Sequence, residues 1–388
     1  MTSTRRQFLD HSLRQLALLA LAGSWSPPLR AQSQGQFQLV DVLPFQGEGR
    51  NFIDQMMGEG LNGRRSYDTS ALTSKRLVTP TEQFFVRTRY PDHVDLTQPW
   101  ELRVDGLVES PGTLPLARLM PKVRDLGVHL IECAGSTSNS YYGLMGAAEW
   151  RGVPMDAVFD ALASQGMAPT AKATHVEVSG IDPKVGVHPG ASWIFPIETL
   201  RRAGALATHM NGAPLPKDHG YPVRLAVPGW YGCVWIKWMD RLTFLDDTAP
   251  PSSQMVEYAD RTHQPGLPRL ARDYVDASID PVAMPVRVEQ WETRGRFFYR
   301  IVGVVWGGMG IEPTAARTLE IRCGDSARFV PVERPGEVGG TTWTLWSHTW
   351  RPTQPGDHTL RLRFNDPALR TRRLDAGYYQ RTVRIKDV

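Results

Sequence analysis

The chain has 388 residues, enough for two domains that each bury an apolar core. Apolar residues make up 41% and charged residues 22% of the sequence, a composition typical of globular proteins. The formal net charge is +4, but most of this excess lies in the first 31 residues, so the remainder is nearly neutral. This balance gives no indication of nucleic-acid binding, and no apolar run beyond those residues is long enough to span a bilayer.

The N-terminus is typical of a twin-arginine export signal. Arg5 and Arg6 stand in the run Ser-Thr-Arg-Arg-Gln-Phe-Leu, and a modest apolar stretch follows over residues 16–23. Ala31 offers a cleavage point, so residues 1–31 are predicted to be a removable leader. Because this route carries folded proteins, it predicts a periplasmic protein whose cofactor is inserted before export.

The rest of the chain divides into four predicted parts. Residues 32–80 have the polar, glycine-rich character of an extended arm that covers the main domain. Over residues 81–250, short β-like runs alternate with helix candidates, which predicts an α+β domain with mixed strands. Residues 251–283 lack periodicity and are interpreted as a connector. Residues 284–388 show short strand-like runs between turn residues, which predicts an immunoglobulin-like β-sandwich.

Three cysteines, Cys133, Cys233 and Cys323, lie about a hundred residues apart. The absence of Cys-x-x-Cys excludes zinc ribbons, and the absence of Cys-x-x-Cys-His excludes covalent c-type haem. Cys133 ends a short apolar run, and Ala134 and Gly135 leave room beside its sulfur. Two interpretations follow, a small buried cysteine at a strand-to-loop corner or a thiolate that binds a metal. Cys233 and Cys323 are interpreted as buried structural thiols, and Cys233 lies close in sequence to Lys237.

Four further segments accompany Cys133 in a fixed order along the chain. They are FFVRTR at 84–89, KDHGYPVR at 217–224, PGWYGCVWIKW at 228–238 and RRLDAGYYQR at 372–381. With these segments the chain resembles the molybdenum-dependent sulfite oxidase family over roughly residues 78–388. It is similar in particular to bacterial exported sulfite dehydrogenases and to the molybdenum subunit of sulfane dehydrogenases. The resemblance implies a mixed α/β molybdopterin-binding domain followed by the immunoglobulin-like sandwich.

The resemblance implies one molybdenum held by one molybdopterin and by the thiolate of Cys133, with no haem in this chain. Soft sulfur suits a metal that changes oxidation state, and a thiolate bound to a cation stays deprotonated. The positions that match the family's molybdopterin-binding residues are Arg89, Asp182, His219, Arg224 and Lys237. Standing alone, His219 and Arg224 would be interpreted as surface turn residues.

The resemblance also implies an oxyanion pocket beside the metal. Arg87 matches the arginine next to the metal, Trp150 the tryptophan that closes the pocket, and Tyr258 the pocket tyrosine. Arg381 matches an arginine supplied by the last strand, with a solvated strand residue as the alternative. Paired arginines suit sulfite, because each charge-assisted hydrogen bond contributes about 1.5–3 kcal/mol.

The sequence departs from the family pattern in two places. Animal members follow Cys-Ala-Gly with asparagine and two arginines, whereas this chain has Ser136, Thr137 and Ser138 there, so one anion-binding charge is missing. The family's histidine two residues after the first arginine is Arg89 here, which either restores the charge or binds the pterin phosphate. Substrate identity is therefore less firmly implied than cofactor identity.

The implied function is oxidation of sulfite to sulfate in the periplasm, with electrons passing to a separate c-type cytochrome. The family's C-terminal domain implies a homodimer. Two alternatives keep the cofactor and change the substrate. They are a sulfane dehydrogenase subunit of thiosulfate oxidation and a sulfoxide reductase, although such reductases lack the C-terminal sandwich. A non-catalytic exported binding protein is a further alternative, against which Cys133 argues.

Overall fold

The computed structural model describes residues 37–47, 63–88, 94–182, 184, 190–308, 317–333, 342–369, 371 and 376–388. The predicted export signal and the predicted cofactor-binding residue Arg89 lie outside these ranges. Within them, no helix combines the length and the apolar character needed to cross a membrane.

β-Strands dominate the described part of the chain. In chain order they are β1 (Gln38–Leu43), β2 (Phe45–Gln46), β3 (Gly63–Arg65), β4 (Val86–Thr88), β5 (Glu101–Gly106), β6 (Gly112–Pro115), β7 (Arg124–Glu132), β8 (Met145–Pro154), β9 (His175–Gly180), β10 (Ser192–Pro196), β11 (Ala205–Met210), β12 (Ala213–Pro214), β13 (Arg224–Ala226), β14 (Met239–Leu245), β15 (Val282–Thr293), β16 (Arg296–Trp306), β17 (Leu319–Cys323), β18 (Val330–Pro331), β19 (Thr344–Trp350), β20 (Gly356–Phe364) and β21 (Gln380–Ile385).

The helices are short. The α-helices are α1 (Leu116–Leu119), α2 (Met155–Ala163), α3 (Ile197–Ala203), α4 (Ser253–Glu257) and α5 (Ala376–Tyr379). Single turns of 3-10 helix occur at Thr69–Ala71, Thr81–Gln83, Met120–Lys122, Ser138–Ser140, Lys217–His219, Asp260–Thr262 and Ala271–Asp273.

The first domain is built on two sheets. One has the order β10-β9-β14-β5-β6, and the other has the order β12-β11-β8-β7 with β13 paired to β11. β14 and β5 run parallel while their other neighbours are antiparallel, so the first sheet is mixed as predicted. Helix α2 buries Met155, Val158, Phe159 and Leu162, the spacing of a single helix face. These side chains share one apolar core with residues of both sheets.

Two antiparallel sheets pack face to face in the C-terminal part. Their orders are β1-β15-β16-β19 and β18-β17-β20-β21-β2. Strand β20 alternates as predicted, with Leu360 and Leu362 buried and Arg363 exposed. The two leucines join a core with Val288 and Ile301 of the opposite sheet. The second domain is therefore strand-rich and two-layered, and its assignment to the immunoglobulin type stays a prediction.

The predicted N-terminal arm contains short strands that pair with both domains. β1 pairs with β15 and β2 pairs with β21, so the arm adds one edge strand to each sheet of the second domain. Leu43 and Phe45 pack against the core of that domain. β3 pairs with β4 and so returns the chain to the first domain. Strands this short offer few alternating positions, so periodicity does not reveal them.

Candidate functional site

A pocket lies where five parts of the first domain meet. These parts are the segment around β4, the loop after β7, the segment after β9, the segment from His219 to Lys237, and the end of α4. Seven predicted site residues line it together: Arg87, Cys133, Asp182, His219, Arg224, Lys237 and Tyr258. The rest of the lining includes Phe84, Phe85, Thr88, Ile131, Cys233, Trp235, Gln254 and Glu257.

Cys133 is the first residue after β7. Its backbone N–H donates to Leu144 O at 2.8 Å, and the Gly135 N–H donates to the cysteine Sγ at 3.4 Å. Burial raises the pKa of the Cys133 thiol, while the Gly135 N–H and the charges of Arg87 and Arg261 lower it. The sulfur thus faces the pocket next to positive charge, a setting in which a bound cation stabilises the thiolate.

Glu132, the residue before the cysteine, is fully buried and ties β7 to the second domain. Its Oε2 accepts a hydrogen bond from Trp306 Nε1 at 2.8 Å, and its Oε1 accepts one from the Tyr378 hydroxyl at 3.0 Å. The same hydroxyl lies 3.0 Å from Ser136 O, within the cysteine loop. The Gly232 N–H donates to Glu132 O at 2.6 Å. The cysteine loop is therefore fixed from both domains.

Arg224 is a buried cation, with 5% of its surface exposed. Its Nη1 donates to His219 O at 3.2 Å and its Nη2 to Trp235 O at 2.9 Å, while Nε has no partner in the described residues. Burial lowers the pKa of Arg224 to about 9, which leaves it charged at neutral pH. Its guanidinium carbon lies 5.6 Å from the ring centres of both Trp150 and Trp235. The pocket therefore contains a positive charge that an anionic group could neutralise.

His219 and Lys237 border the same part of the pocket. His219 is buried, and its Nε2 has no hydrogen-bond partner in the described residues. Burial, together with the charge of Lys237, places the pKa of His219 well below its usual value, so the ring is neutral. Lys237 Nζ donates to Asp218 O at 2.8 Å and to Thr88 Oγ1. Burial lowers the pKa of Lys237 and raises that of Asp182, and each charge opposes the shift of the other.

Arg87 and Tyr258 lie on the cysteine side of the pocket. Arg87 is the middle residue of β4, and Tyr258 directly follows α4. Burial raises the pKa of Tyr258 far above its usual value, and the same cause raises the pKa of Cys233. The phenol and the second thiol therefore stay protonated at neutral pH and can donate hydrogen bonds to a bound anion.

Comparison with known proteins agrees with the family resemblance of the residues that line the pocket. Residues 88–253 match the oxidoreductase molybdopterin binding domain. The sulfite oxidase of Gallus gallus is 28% identical over 310 residues, which cover 72% of this chain and 64% of that protein. The mitochondrial sulfite oxidase of Drosophila melanogaster is 28% identical over 266 residues, which cover 62% of this chain and 44% of that protein. This chain belongs to the sulfite oxidase family.

This sulfite oxidase family member spans about half to two thirds of the length of those two relatives. Among solved structures, the sulfane dehydrogenase SoxCD from Paracoccus pantotrophus matches it with a TM-score of 0.61 at 20% identity. That match covers 94% of this chain and 97% of the other chain, and it shows a shared fold.

Two predicted pocket residues of the family member lie outside the lining. Trp150, predicted to close the pocket, is buried behind it, where its ring lies 5.2 Å from that of Trp235. Its indole ring fills part of the apolar core behind the pocket, so it packs against the Arg224 guanidinium from the core side. Arg381 is buried too, and its guanidinium donates to Pro285 O and lies 4.0 Å over the ring of Phe45. Arg381 therefore lies neither among the residues that line the pocket nor on the solvated surface.

One residue near the site escapes sequence reasoning, and a second lies closer to the site than its predicted structural role implies. Arg261 Nη1 donates to Ala134 O at 3.2 Å, so it places a cation beside the cysteine loop that lacks the family's arginine pair. Arg261 lies in the predicted connector, where no periodicity or motif marks a functional position. Cys233, interpreted as a structural thiol, lines the pocket with Cys133. Its closeness in sequence to Lys237 is the signal that pointed to it.

The lining fits the cofactor that the family implies. Arg224 is a buried cation available to a phosphate, and His219 Nε2 is a buried polar atom without a partner in the described residues. The lining contains three basic side chains, Arg87, Arg224 and Lys237, and two acidic ones, Asp182 and Glu257. Across the described residues, no three His, Cys, Asp or Glu side chains are grouped so as to hold a metal.

Proposed function

We propose that this chain oxidises sulfite to sulfate with a mononuclear molybdenum held by one molybdopterin, and passes the electrons to a c-type cytochrome. The observation that carries the proposal is the shared lining of one pocket by the Cys133 thiol, by Arg87 and by the buried cation of Arg224, which forms no ion pair with any described residue. Two relatives named sulfite oxidase support the choice of substrate.

The residues around Arg224 suit the pterin and its phosphate. A buried guanidinium with a free Nε gains most from a phosphate oxygen, and Lys237 adds a second positive charge. The neutral ring of His219 offers a hydrogen bond, and Asp182 can accept one from a pterin N–H. Cys133 supplies the sulfur ligand. When bound, the molybdenum group supplies the oxygen-atom transfer and the two-electron redox chemistry that side chains lack.

The residues on the cysteine side suit the anion. Arg87 and Arg261 place positive charge around the Cys133 loop, and the protonated hydroxyl of Tyr258 can donate to a sulfite oxygen. Sulfite and water yield sulfate, two protons and two electrons. The electrons leave in single steps to the cytochrome, and the protons leave to solvent. The protein's part is to hold the anion and exclude competing reactions.

Sulfite turnover by the purified protein tests this proposal. We expect about one molybdenum per chain and sulfite-dependent reduction of a c-type cytochrome. Replacing the sulfur ligand, Cys133→Ser, should abolish turnover, by at least about a thousandfold, while circular dichroism and the melting temperature stay close to wild type. Cys323→Ser is the matched control, because Cys323 lies in the core of the second domain. Full activity of the Cys133→Ser variant, or turnover of methionine sulfoxide alone, would overturn the proposal.

The cysteine loop favours a second candidate, oxidation of a sulfane sulfur as in thiosulfate metabolism. Ser136, Thr137 and Ser138 supply no cation, and the Cys233 thiol adds a neutral group to the lining. The structural neighbour SoxCD is named a sulfane dehydrogenase, which makes this substrate class the natural second assay. Turnover of a sulfane substrate without sulfite activity would select this candidate over the first.

Export and assembly complete the proposal. The leader at residues 1–31 directs the folded chain to the periplasm by the twin-arginine route, where c-type cytochromes are available. The two-layered C-terminal domain forms the interface of a homodimer. Fractionation of the cells and light scattering of the purified protein test these two statements. Retention in the cytoplasm would contradict the first, and a monomeric mass would contradict the second.

A further inference from the structure

A second cleft lies in the first domain and shares no lining residue with the Cys133 pocket. Its volume is about 350 Å³, which lies in the range of small-molecule sites. It opens where β7 begins, β8 ends and β11 begins, beside the last turn of α3. Its charged and polar lining residues are Arg124, His129, Asp156, Glu198, Arg201 and Arg202.

Three arginines from two elements converge on this cleft. Arg201 and Arg202 lie in the last turn of α3, where the helix dipole attracts cations, whereas Arg124 comes from the start of β7. Arg201 lies 4.9 Å over the ring of Phe159, and its buried Nε has no partner in the described residues. No carboxylate of the described chain lies within 4.0 Å of any of the three guanidinium groups. The cleft therefore holds three guanidinium groups that form no close ion pair within the described residues.

The same cleft also holds hydrogen-bond acceptors. His129 is buried, and because its Nε2 donates to Leu126 O at 2.6 Å, its Nδ1 is an acceptor, one without a partner in the described residues. Asp156 and Glu198 add two exposed carboxylates. A bare oxyanion such as sulfate satisfies the arginines alone and is repelled by the carboxylates. A ligand that carries both an anionic group and hydroxyl groups satisfies the whole lining.

We propose that this cleft is a binding site for a small polyol anion. The phosphate or carboxylate of the ligand pairs with Arg124, Arg201 and Arg202, since guanidinium groups bind both kinds of anion in a bidentate way. Its hydroxyl groups donate to Asp156 and Glu198. No residue of this site belongs to the pocket assigned to molybdopterin, so the two sites do not overlap.

Isothermal titration of the full, cofactor-loaded protein tests the site, with glucose 6-phosphate, gluconate and sulfate as probes. We expect one of the two polyol anions to bind at least tenfold more tightly than sulfate, and the preferred one identifies the anionic group. Arg124→Met removes an exposed strand residue without disturbing the core, and should weaken that binding at least tenfold. Glu198→Gln should weaken the polyol anion but leave sulfate unchanged or bound more tightly.

Arg151→Met is the matched control, because Arg151 is paired with Asp125 at 2.9 Å and does not line the cleft. It removes the same charge from the neighbouring strand and should leave binding unchanged, as all three variants should leave sulfite turnover unchanged. Equal loss in Arg151→Met and Arg124→Met would reduce the effect to general electrostatics and overturn the site. The absence of binding by either polyol anion at about 10 mM would do the same.

Discussion

Arg224 carries its charge inside the protein, where a cation without an anionic partner is unfavourable. Two carbonyl oxygens and two indole rings stabilise the guanidinium, but its Nε is left without an acceptor in the described residues. Such an incomplete hydrogen-bond set is uncommon in a folded core and indicates a missing partner. The pterin phosphate of the proposed cofactor would complete it.

Substitution of Arg224 by methionine keeps the apolar bulk and removes the charge. Loss of a charge-assisted hydrogen bond of about 1.5–3 kcal/mol should weaken cofactor retention by roughly tenfold to a hundredfold. The measurement is molybdenum content per purified chain after dialysis. Arg241→Met serves as the control, since Arg241 pairs with Asp105 on the surface of the first domain. Equal molybdenum content in Arg224→Met and wild type would show that Arg224 has only a structural role.

His219 makes the stability of the cofactor-free protein depend on pH. Its pKa is depressed by burial, so at acidic pH the unfolded chain binds a proton that the folded chain does not. The free energy of unfolding should therefore fall by about 1 kcal/mol from this group as pH drops from about 7.5 to about 5.5. In the His219→Gln variant that contribution should be absent. Urea unfolding of both proteins at both pH values measures this contribution. The same pH dependence of the unfolding free energy in the variant and in the wild type would contradict the assignment.

The loop between β7 and β8 is the element that presents the cysteine. Its carboxylate anchor, Glu132, receives hydrogen bonds from Trp306 of β16 and Tyr378 of α5, both in the second domain. The second domain therefore positions the first domain's predicted metal ligand, in addition to its proposed role in assembly. A buried carboxylate with two side-chain donors is a fixed anchor because each lost donor leaves an unsatisfied oxygen.

Removal of one donor should loosen this anchor. Tyr378→Phe deletes a hydrogen bond to a carboxylate and should lower the free energy of unfolding by about 1.5–3 kcal/mol. Tyr379→Phe is a close control, because the Tyr379 hydroxyl donates at 3.2 Å to a neutral acceptor, Pro281 O, and should contribute only about 0.5–1.5 kcal/mol. Denaturant unfolding compares the two variants. A smaller effect in Tyr378→Phe than in Tyr379→Phe would contradict the anchoring role.

Short strand-like runs between turn residues predicted a strand-rich domain over residues 284–388, and β16, β17, β20 and β21 lie within it. Strands β17, β20 and β21 bury alternate residues in one shared core, whereas β16 is buried on both faces. Helix α5 was not predicted, since four residues hold no periodicity. Cys133 and Arg224 were found from the order of family motifs. Arg261 was not, because its place beside Ala134 depends on how the connector folds over the loop.

Trp150 shows where the family pattern and the packing diverge. Its position in the sequence matches the residue that closes the pocket, but in β8 its side chain points to the core that contains Phe84 and Trp235. A strand places successive side chains on opposite faces, so the face of Trp150 follows from the register of β8 with β7 and β11. That register is a tertiary property that no local motif encodes.

In the whole molecule, the chain crosses between the two domains several times. Strands β1 and β2 join the second domain, β3 returns to the first, and the 3-10 turn at Thr69–Ala71 lies against β15. Trp343 Nε1 of the second domain donates to Leu77 O at 2.8 Å. The two domains are thus connected through the N-terminal segment as well as through the connector, and the cysteine loop lies between these connections.

Arg287 joins the second domain to the N-terminal segment, so its substitution tests this connection. Its Nη1 donates to Ser70 O at 2.9 Å and to Leu72 O, and its Nε donates to Glu289 Oε1 at 2.7 Å. Arg287→Met removes this donor from the two carbonyl groups and from Oε1 of the buried Glu289, which keeps the Trp291 indole N–H at its other oxygen, so the free energy of unfolding should fall by about 3–5 kcal/mol. Arg296→Met, at an exposed position of β16, should change it by less than about 0.5 kcal/mol. Because the segment from 63 to 80 loses part of its attachment to the second domain, limited proteolysis should cut there first in Arg287→Met. Unaltered proteolysis and stability would show that the N-terminal segment does not couple the domains.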